Sequence, residues 1–294
     1  MNDSYDDLKK LGWAQSIKKP ISPKWKTFLM YFLLFLLVGA VAVYFLVLRD
    51  DRITYYNGGY SEGVFSDPSC NVAGINLHGD LVTYTTEENV TNGMVSSEDI
   101  LASLWEAEDD ENIKAVILEV DSNGGWPVAG EEIYNAVKNL KKPVIGMIRQ
   151  SGLSAGYWAI ASADAIFASE VSDVGSIGVT MSYIDASKYN EKEGFTYNEI
   201  SSGKFKNSGD SEKALTKEEK EIFQRDVNII YENFVKYLAE GRNMDIEKVR
   251  SLADGSSMLG KMALENGLID HIGSIKEVED YIGEKYNIEP EVCW

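Results

Sequence analysis

The stretch Ala-Val-Ile-Leu-Glu-Val-Asp-Ser-Asn-Gly-Gly, residues 115–125, decides the fold of this chain. Its first six residues form a nearly continuous apolar run, which is typical of a strand buried on both faces of a parallel sheet. Two glycines follow the strand, where they allow backbone N–H groups to approach a ligand closely. The segment therefore predicts either a plain strand-to-helix turn or a loop of donors for an oxyanion.

Strand and helix patterns alternate around this run. Further short apolar runs predict strands at residues 72–77, 144–148 and 165–168. Ser97 is predicted to cap a helix before the run, Pro127 suits the first turn of a helix after it, and residues 154–162 predict a third. This alternation indicates an α/β fold with a mostly parallel sheet and flanking helices.

The C-terminal third is predicted to be helical. Thr216 and Glu219 form a capping box, and Gly241 fits the end of the long helix that follows. Apolar residues recur along this helix at spacings of three and four, which predicts one buried face: Ile222, Phe223, Val227, Ile230, Phe234, Val235 and Leu238. Shorter helices are expected near residues 245–253, 259–266 and 274–284.

Residues 28–48 contain no charged side chain and predict a transmembrane helix. As a helix they would be about 31 Å long, which matches the hydrocarbon core of a bilayer. Lys18, Lys19, Lys24 and Lys26 lie just before the run, so the positive-inside bias places the N-terminus in the cytoplasm. A cleaved signal peptide with its site near residues 40–42 and a buried core helix are the alternatives.

The predicted organisation follows from this span. Residues 1–27 would be a cytoplasmic segment, 28–48 a transmembrane helix, 49–69 a linker, and 70–294 an extracytoplasmic domain. The protein would thus be a single-pass protein of the cell membrane. Cys70 and Cys293 would share the far side of the membrane, where they could form a disulfide or remain free thiols.

The charge of the chain is strongly negative and unevenly distributed. The 294 residues have a formal net charge of −19. Residues 1–50 hold seven basic and four acidic groups, so the remainder carries −22. Such a domain would repel a phosphate backbone, which argues against nucleic acid as a partner. Two cysteines and two histidines leave little for a metal site, and no metal or cofactor is expected.

A second Gly- and Ser-rich segment, Ser-Gly-Leu-Ser-Ala-Gly-Tyr-Trp at residues 151–158, follows a predicted strand and opens a helix. Ser154 at this turn would lie at the positive end of a helix dipole, and the Ala155 N–H group could stabilise an oxyanion. The alternative is that Ser154 only caps the helix. The sequence is not G-x-S-x-G, so the hydrolase elbow motif itself is absent.

A serine nucleophile needs a base, and the histidines are poor candidates. His78 and His271 both resemble surface or turn residues. A lysine can accept the proton only when neutral, which requires desolvation to lower its pKa, and Ser–Lys pairs are a known variant of the triad. Residues 202–207, Ser-Gly-Lys-Phe-Lys-Asn, offer Lys204 and Lys206, and spacing alone does not choose between them.

Together these segments resemble the signal peptide peptidase A family of membrane-bound serine proteases, peptidase family S49, in its short single-repeat form. The resemblance covers roughly residues 70–285, and its motifs occur in the family's order. The matching segments are 121–125 (N-S-P-G-G in the family), 153–157 (S-G-G-Y), 175–179 (G-S-I-G-V, unchanged), 202–206 (S-G-x-x-K) and the downstream residues 234, 241–242 and 263–270.

The resemblance implies a Clp-protease/crotonase-like α/β domain and a role for each matching residue. Ser154 corresponds to the nucleophile, and Lys206, the second lysine of its segment, to the general base. Ser176 would hydrogen-bond the lysine amine and hold it in place. Gly125 and Ala155 would donate backbone N–H groups to the oxyanion. The departures from the family pattern are Asp121, Asn123, Ala155 and Asn207, which stand where Asn, Pro, Gly and Asp are usual.

The resemblance also implies substrates and partners. The expected substrates are remnant signal peptides and other hydrophobic or membrane-derived peptides, cleaved without a cofactor. Proteases of this superfamily form ring or dome oligomers, so the resemblance implies a homo-oligomer. Neighbouring subunits can contribute to one site in such assemblies, so the Ser–Lys pair could be completed across a subunit interface. The alternatives are a protease specific for one membrane protein, of the stomatin-clipping type, a non-catalytic scaffold that binds membrane proteins, and a CoA-thioester enzyme of the crotonase type.

Overall fold

The computed structural model describes residues 31, 32, 34–36 and 69–294. The first five of these are helical, while the rest of the predicted transmembrane helix, the segment 1–27 and linker residues 49–68 lie outside the described residues. Within the described part of the chain, no helix has the length and apolar character needed to cross a bilayer.

The domain alternates strands and helices along the chain. Its strands are β1 (Val72–His78), β2 (Asp80–Val82), β3 (Met94–Ser96), β4 (Ala115–Ser122), β5 (Val144–Leu153), β6 (Ala165–Ala168), β7 (Asp173–Gly175), β8 (Ser257–Leu259), β9 (His271–Ile272) and β10 (Val292–Cys293). Its helices are α1 (Glu87–Thr91), α2 (Ser97–Asp109), α3 (Pro127–Asn139), α4 (Ala155–Ile160), α5 (Ser187–Lys192), α6 (Lys217–Gly241), α7 (Ile246–Leu252), α8 (Gly260–Asn266) and α9 (Ile275–Tyr286).

A mostly parallel sheet forms the centre of the domain, as the sequence predicts. Its strand order is β10-β1-β4-β5-β6-β9, and every neighbouring pair on this path is parallel. Strand β7 pairs with the far end of β5 and, antiparallel, with β8. Strands β2 and β3 form a small separate sheet. The apolar run that opens residues 115–125 is β4, and its first six residues are buried.

Both faces of the sheet are covered by helices, which explains the unbroken apolar run of β4. On one face, α2, α3, α4 and α6 enclose the larger core. On the other, α9 packs Val278 and Ile282 against alternate residues of the sheet. These sheet residues are Val72, Ala115, Ile117, Ile145, Met147, Ala165 and Phe167.

Two helix predictions need correction. Helix α2 is capped by Ser96 and not by Ser97, because Ser96 has the extended backbone (φ −93°, ψ 144°) that lets its Oγ accept the Asp99 N–H at 3.0 Å. Ser97 is already helical and donates its hydroxyl to Glu132. The helix expected at 154–162 is the shorter α4.

The predicted capping box of the long helix α6 is confirmed, whereas its buried face is shorter than expected. Among the seven predicted core positions, Phe234, Val235 and Leu238 are buried and the four earlier ones are only partly so. The N-terminal half of α6 lies beside the largely exposed segment 179–215 instead of the core. A groove of about 240 Å³ separates the two, lined by Met181, Tyr183, Leu215, Phe223 and Val227 among others.

A disulfide joins the start of the domain to its end. Cys70 and Cys293 are bonded, with their Cα atoms 5.8 Å apart. Strand β10 pairs with β1 so that Ala73 lies opposite Cys293. The sequence left open whether the two cysteines form a disulfide or remain free thiols. The structure contains the disulfide.

Candidate active site

Residues 121–125, 151–158 and 175–179 meet where β4, β5 and β7 end, whereas residues 202–207, which hold the two candidate lysines, have no hydrogen bond to them. Strand β5 continues five residues beyond its predicted end, to Leu153, and this extension pairs with β7. The carboxyl ends of parallel strands are the usual location of binding sites in such folds. Ser154 follows β5, Ser176 follows β7, and the loop of Gly124 and Gly125 follows β4.

Ser154 has a backbone conformation that is rare for any residue other than glycine. Its φ is +50° and its ψ −124°, directly before the first residue of α4. The Ser154 N–H group donates to the Gly175 carbonyl at 2.8 Å, which holds the turn in place. Its hydroxyl caps no helix and makes no hydrogen bond to any described residue. Strained residues held by their surroundings cluster at functional sites, and this serine has its hydroxyl free for chemistry.

The loop after β4 is tied to the loop that carries Ser154. The Asp121 carboxylate accepts the backbone N–H of Ser151 at 3.1 Å, which links the two loops directly. The buried Ser122 hydroxyl accepts the Gly124 N–H at 3.1 Å and shapes the turn. Asp121 stands where the family usually has Asn, and its carboxylate oxygen serves as an acceptor in the same way that an amide oxygen would.

Both glycines of this loop are required by the space around them. Gly124 has φ +121°, and a Cβ atom there would lie 2.7 Å from the Cβ of Ser154. Gly125 has φ +142°, and a Cβ atom would overlap the backbone of Leu81. Leu81 in turn bridges the loop, because its N–H donates to Gly124 O and its carbonyl accepts the Trp126 N–H. The backbone thus approaches Ser154 as closely as only glycine permits.

The N–H groups of Gly125 and Ala155 are free of protein acceptors within the described residues. Ala155 is the first residue of α4, where helix geometry leaves the N–H without a partner. Gly125 directly follows Gly124, whose backbone packs against Ser154. Free N–H donors close to a serine hydroxyl are what an oxyanion hole would require.

Ser176 lies beside Ser154. Leu153 pairs with Gly175 across β5 and β7, so each serine follows one member of the same pair. Ser176 shares the unusual φ of +50° and donates its hydroxyl to the Gly255 carbonyl at 3.2 Å. Its hydroxyl therefore has a protein partner other than the lysine that the resemblance assigns to it.

Lys206 lies on the exposed segment 179–215 and makes no hydrogen bond to Ser154 or Ser176. Its side chain is exposed and makes no hydrogen bond or ion pair with a described residue. Lys204, by contrast, forms an ion pair with Glu218 at 2.6 Å. Of the two lysines that the sequence left open, Lys206 is the one with an unengaged amine.

Charged side chains tie the exposed segment 179–215, called the lysine segment from here on, to the start of α6. Lys213 lies 3.0 Å from both Glu199 and Glu219, and the hydrogen bonds to these carboxylates raise the pKa of Lys213. The pKa of Glu219 falls to about 2, chiefly because the Thr216 backbone N–H donates to it, and Lys213 adds to the effect. Asn207 donates to Asp210 at 2.8 Å within the same segment. These contacts order the segment that carries Lys206.

The two histidines have structural surroundings, in agreement with their interpretation from sequence. His78 lies 2.9 Å from Glu119, and the His271 ring packs on Phe167 with centroids 4.5 Å apart. Neither is hydrogen-bonded to Ser154. Among the described residues, no group of three or more His, Cys, Asp or Glu side chains could hold a metal ion.

The sequence analysis did not predict the role of Glu119, a buried charged residue of β4. The almost buried Glu119 of β4 accepts from His78 of β1 and from Arg149 of β5, each at 2.9 Å. It thus links the three adjacent strands β1, β4 and β5. The signal was available, since Glu119 is the one charged residue within the apolar run of β4.

Comparison with known protein families identifies the fold and the chemistry. A family model described as Peptidase family S49 matches residues 136–289, more than half of the chain, and one described as Clp protease matches residues 84–169. The chain belongs to peptidase family S49. It is therefore a serine-type peptidase with a Clp protease-like α/β domain, as the motif resemblance implies.

Three curated relatives show the extent of the similarity. A "Putative signal peptide peptidase SppA" of Enterococcus faecium is 32% identical over 78% of this chain and 68% of its own length. A "Putative protease MJ0651" of Methanocaldococcus jannaschii is 35% identical over 64% of this chain and 62% of its own. "Protease 4" of Haemophilus influenzae is 31% identical over 79% of this chain, which spans only 36% of that protein.

Proposed function

We propose that this S49 peptidase is a membrane-anchored endopeptidase that cleaves remnant signal peptides and other hydrophobic peptides with a Ser154–Lys206 dyad. The observation that carries the proposal is the strained Ser154, whose free hydroxyl lies beside the loop of Gly124 and Gly125 and the free Ala155 N–H. The name of the Enterococcus relative supports signal peptides as the substrate class.

The reaction would proceed through an acyl-enzyme. The neutral amine of Lys206 takes the proton from Ser154 Oγ, which attacks the peptide carbonyl carbon. The Gly125 and Ala155 N–H groups hold the oxyanion of the tetrahedral intermediate. The lysine then protonates the departing amine, and a water molecule, deprotonated by the same amine, releases the carboxylate product.

The base must reach the nucleophile, and the exposed lysine segment suggests how. Within one copy of the chain, Lys206 is solvent-exposed and makes no hydrogen bond to Ser154. The segment also exposes large apolar side chains that an isolated domain would be expected to bury: Met181, Tyr183, Ile184, Tyr189, Phe195, Ile200 and Phe205. We propose a homo-oligomer, a ring or dome, in which this segment packs on a neighbour and brings Lys206 to the neighbour's Ser154.

Residues 28–48 and the disulfide support a proposed location in the cell membrane. A charge-free run of this length is proposed to anchor the protein, with residues 1–27 in the cytoplasm. The Cys70–Cys293 bond supports an oxidising compartment for the domain, since such bonds are rare in the cytosol. Deleting residues 1–48 should release the peptidase domain from carbonate-washed membranes.

Kinetics of peptide cleavage test the dyad with matched controls. Ser154→Ala and Lys206→Ala should each lower kcat/KM on a hydrophobic peptide at least 1,000-fold, on the order expected for loss of a nucleophile or its base. Ser151→Ala and Lys204→Ala, which alter the same loops, should lose little. If Ser154→Ala cleaves as well as the wild type, the assignment is wrong. If the wild type binds hydrophobic peptides without cleaving them, the protein is a scaffold.

A further inference from the structure

An unusual aromatic side chain stands next to the proposed oxyanion donor. Trp126 directly follows Gly125, so their Cα atoms are separated by about 3.8 Å. Its side chain is 67% exposed, and the neighbouring Val128 is 53% exposed. Tryptophan is enriched among the residues that dominate binding at recognition surfaces.

Although Trp126 is exposed, its backbone is rigidly held. The Trp126 N–H donates to the Leu81 carbonyl at 2.8 Å, while the Leu81 N–H donates to Gly124 O at 2.7 Å. Helix α3 begins at the next residue, with Pro127 in its first turn. The indole thus projects from a backbone fixed on both sides, which lowers the entropy lost when a ligand packs against it.

We propose that Trp126, together with Val128, forms one wall of the subsite for an apolar substrate side chain next to the scissile bond, so that Trp126 is a specificity-determining residue. The inference rests on the proposed function, because the oxyanion donors fix where the scissile carbonyl lies. A carbonyl held by the Gly125 N–H brings the flanking substrate side chains within reach of the next residue along the loop. The wall favours bulky apolar side chains over alanine at that position.

The chain offers a matched control for this residue. Trp105 on α2 is similarly exposed, at 57%, and lies in a groove with the C-terminal half of α3. The α3 residues that line this groove begin at Glu132, six residues beyond Trp126 and about 9 Å along the helix. Removing the Trp105 indole therefore deletes an equally exposed tryptophan away from the proposed subsite.

The first measurement is a ratio of activities. Peptides that differ only in having Ala, Leu or Phe on either side of the scissile bond are assayed with the wild type and with Trp126→Ala, Trp126→Phe and Trp105→Ala. At one of the two positions, Trp126→Ala should lower the preference for Phe over Ala in kcat/KM about tenfold. Trp126→Phe should restore most of it, and Trp105→Ala should leave the ratio unchanged. An equal loss on all peptides, or an unchanged ratio, overturns the proposal.

A second measurement separates this inference from the proposed chemistry. The affinity of a dye-labelled Phe peptide is compared for Ser154→Ala and for Ser154→Ala with Trp126→Ala. Weaker binding by the double variant supports the subsite even if the wild type cleaves nothing, in which case only the proposed function fails. Cleavage by the wild type with a preference that ignores Trp126 leaves the function intact and overturns the subsite. A change in oligomer size without a change in binding assigns Trp126 to a subunit contact and also overturns it.

Discussion

Ser154 and Ser176 occupy equivalent positions on neighbouring strands, each one residue beyond the paired Leu153 and Gly175 and each with φ +50°. The Ser154 N–H bond to the Gly175 carbonyl joins the two turns. The hydroxyls differ in their surroundings, because Ser176 donates to Gly255 O while Ser154 has no partner among the described residues. The same backbone geometry thus presents one bound and one free serine at the end of the sheet.

The strain at Ser154 should be measurable as stability. Glycine adopts φ +50°, ψ −124° without the steric cost that a side chain meets there, a cost on the order of 1–3 kcal/mol. Glycine also makes the unfolded chain more flexible, which offsets part of the gain. Ser154→Gly should therefore be about 1 kcal/mol more stable than Ser154→Ala in urea unfolding, with both inactive. A less stable Ser154→Gly variant would show that the turn is unstrained.

The close approach of the β4 loop should be sensitive to a single methyl group. In Gly124→Ala the new Cβ would lie 2.7 Å from the Cβ of Ser154, so the loop must move and displace the adjacent donor. Loss of one oxyanion donor costs about 100- to 1,000-fold in kcat, and a similar loss is expected here. Gly194→Ala is the control, because Gly194 also has a positive φ but has open space around it. Equal activity of the two variants would contradict the packing.

The charge network of the lysine segment predicts a response to acid. The pKa of Glu219 falls from an ordinary 4.5 to about 2, because Thr216 and Lys213 donate hydrogen bonds to its ionised form. Its contribution to stability is therefore complete above pH 4.5 and is lost as the pH falls towards 2. The free energy of unfolding should fall more steeply between pH 5 and pH 3 in the wild type than in Glu219→Gln. Parallel curves would show that the network does not stabilise the fold.

The disulfide should contribute a large part of the stability of the domain. It closes a loop with a sequence separation of 223 residues, and cross-linking so long a loop restricts the unfolded chain strongly. Replacing Cys70 and Cys293 together by Ala should lower the free energy of unfolding by on the order of 4 kcal/mol. The measurement is urea unfolding of both proteins, with and without reductant. A wild type that is insensitive to reductant and equal to the double variant would contradict it.

Assembly across subunits makes a prediction that no single-chain mechanism shares. Ser154→Ala and Lys206→Ala are each expected to be inactive alone. Mixed after dissociation and reassembly, they should recover up to a quarter of the wild-type activity, because some interfaces combine an intact serine with an intact lysine. A mixture of Ser154→Ala with itself serves as the control. No recovery from a properly reassembled mixture would place both residues in the same subunit.

The sequence predicted most of the sheet because its central strands are buried on both faces and read as apolar runs. It also placed the capping box at Thr216, since capping depends on local side chains alone. Short strands such as β7 carry no such pattern, and the extension of β5 to Leu153 depends on pairing with β7. The positive φ of Ser154 and the link from Asp121 to Ser151 arise from contacts between distant segments. The motifs named the candidate residues, and only the structure shows how the loops that carry them are held.

Covalent labelling of the active serine tests the central claim most directly. The full-length protein is treated with a fluorophosphonate and the adduct is located by mass spectrometry, alongside Ser154→Ala, Lys206→Ala and Lys204→Ala. The account predicts an adduct on Ser154 in the wild type and in Lys204→Ala, none in Ser154→Ala, and much slower labelling in Lys206→Ala. An adduct on a different serine, accompanied by undiminished peptide cleavage in Ser154→Ala, would contradict it.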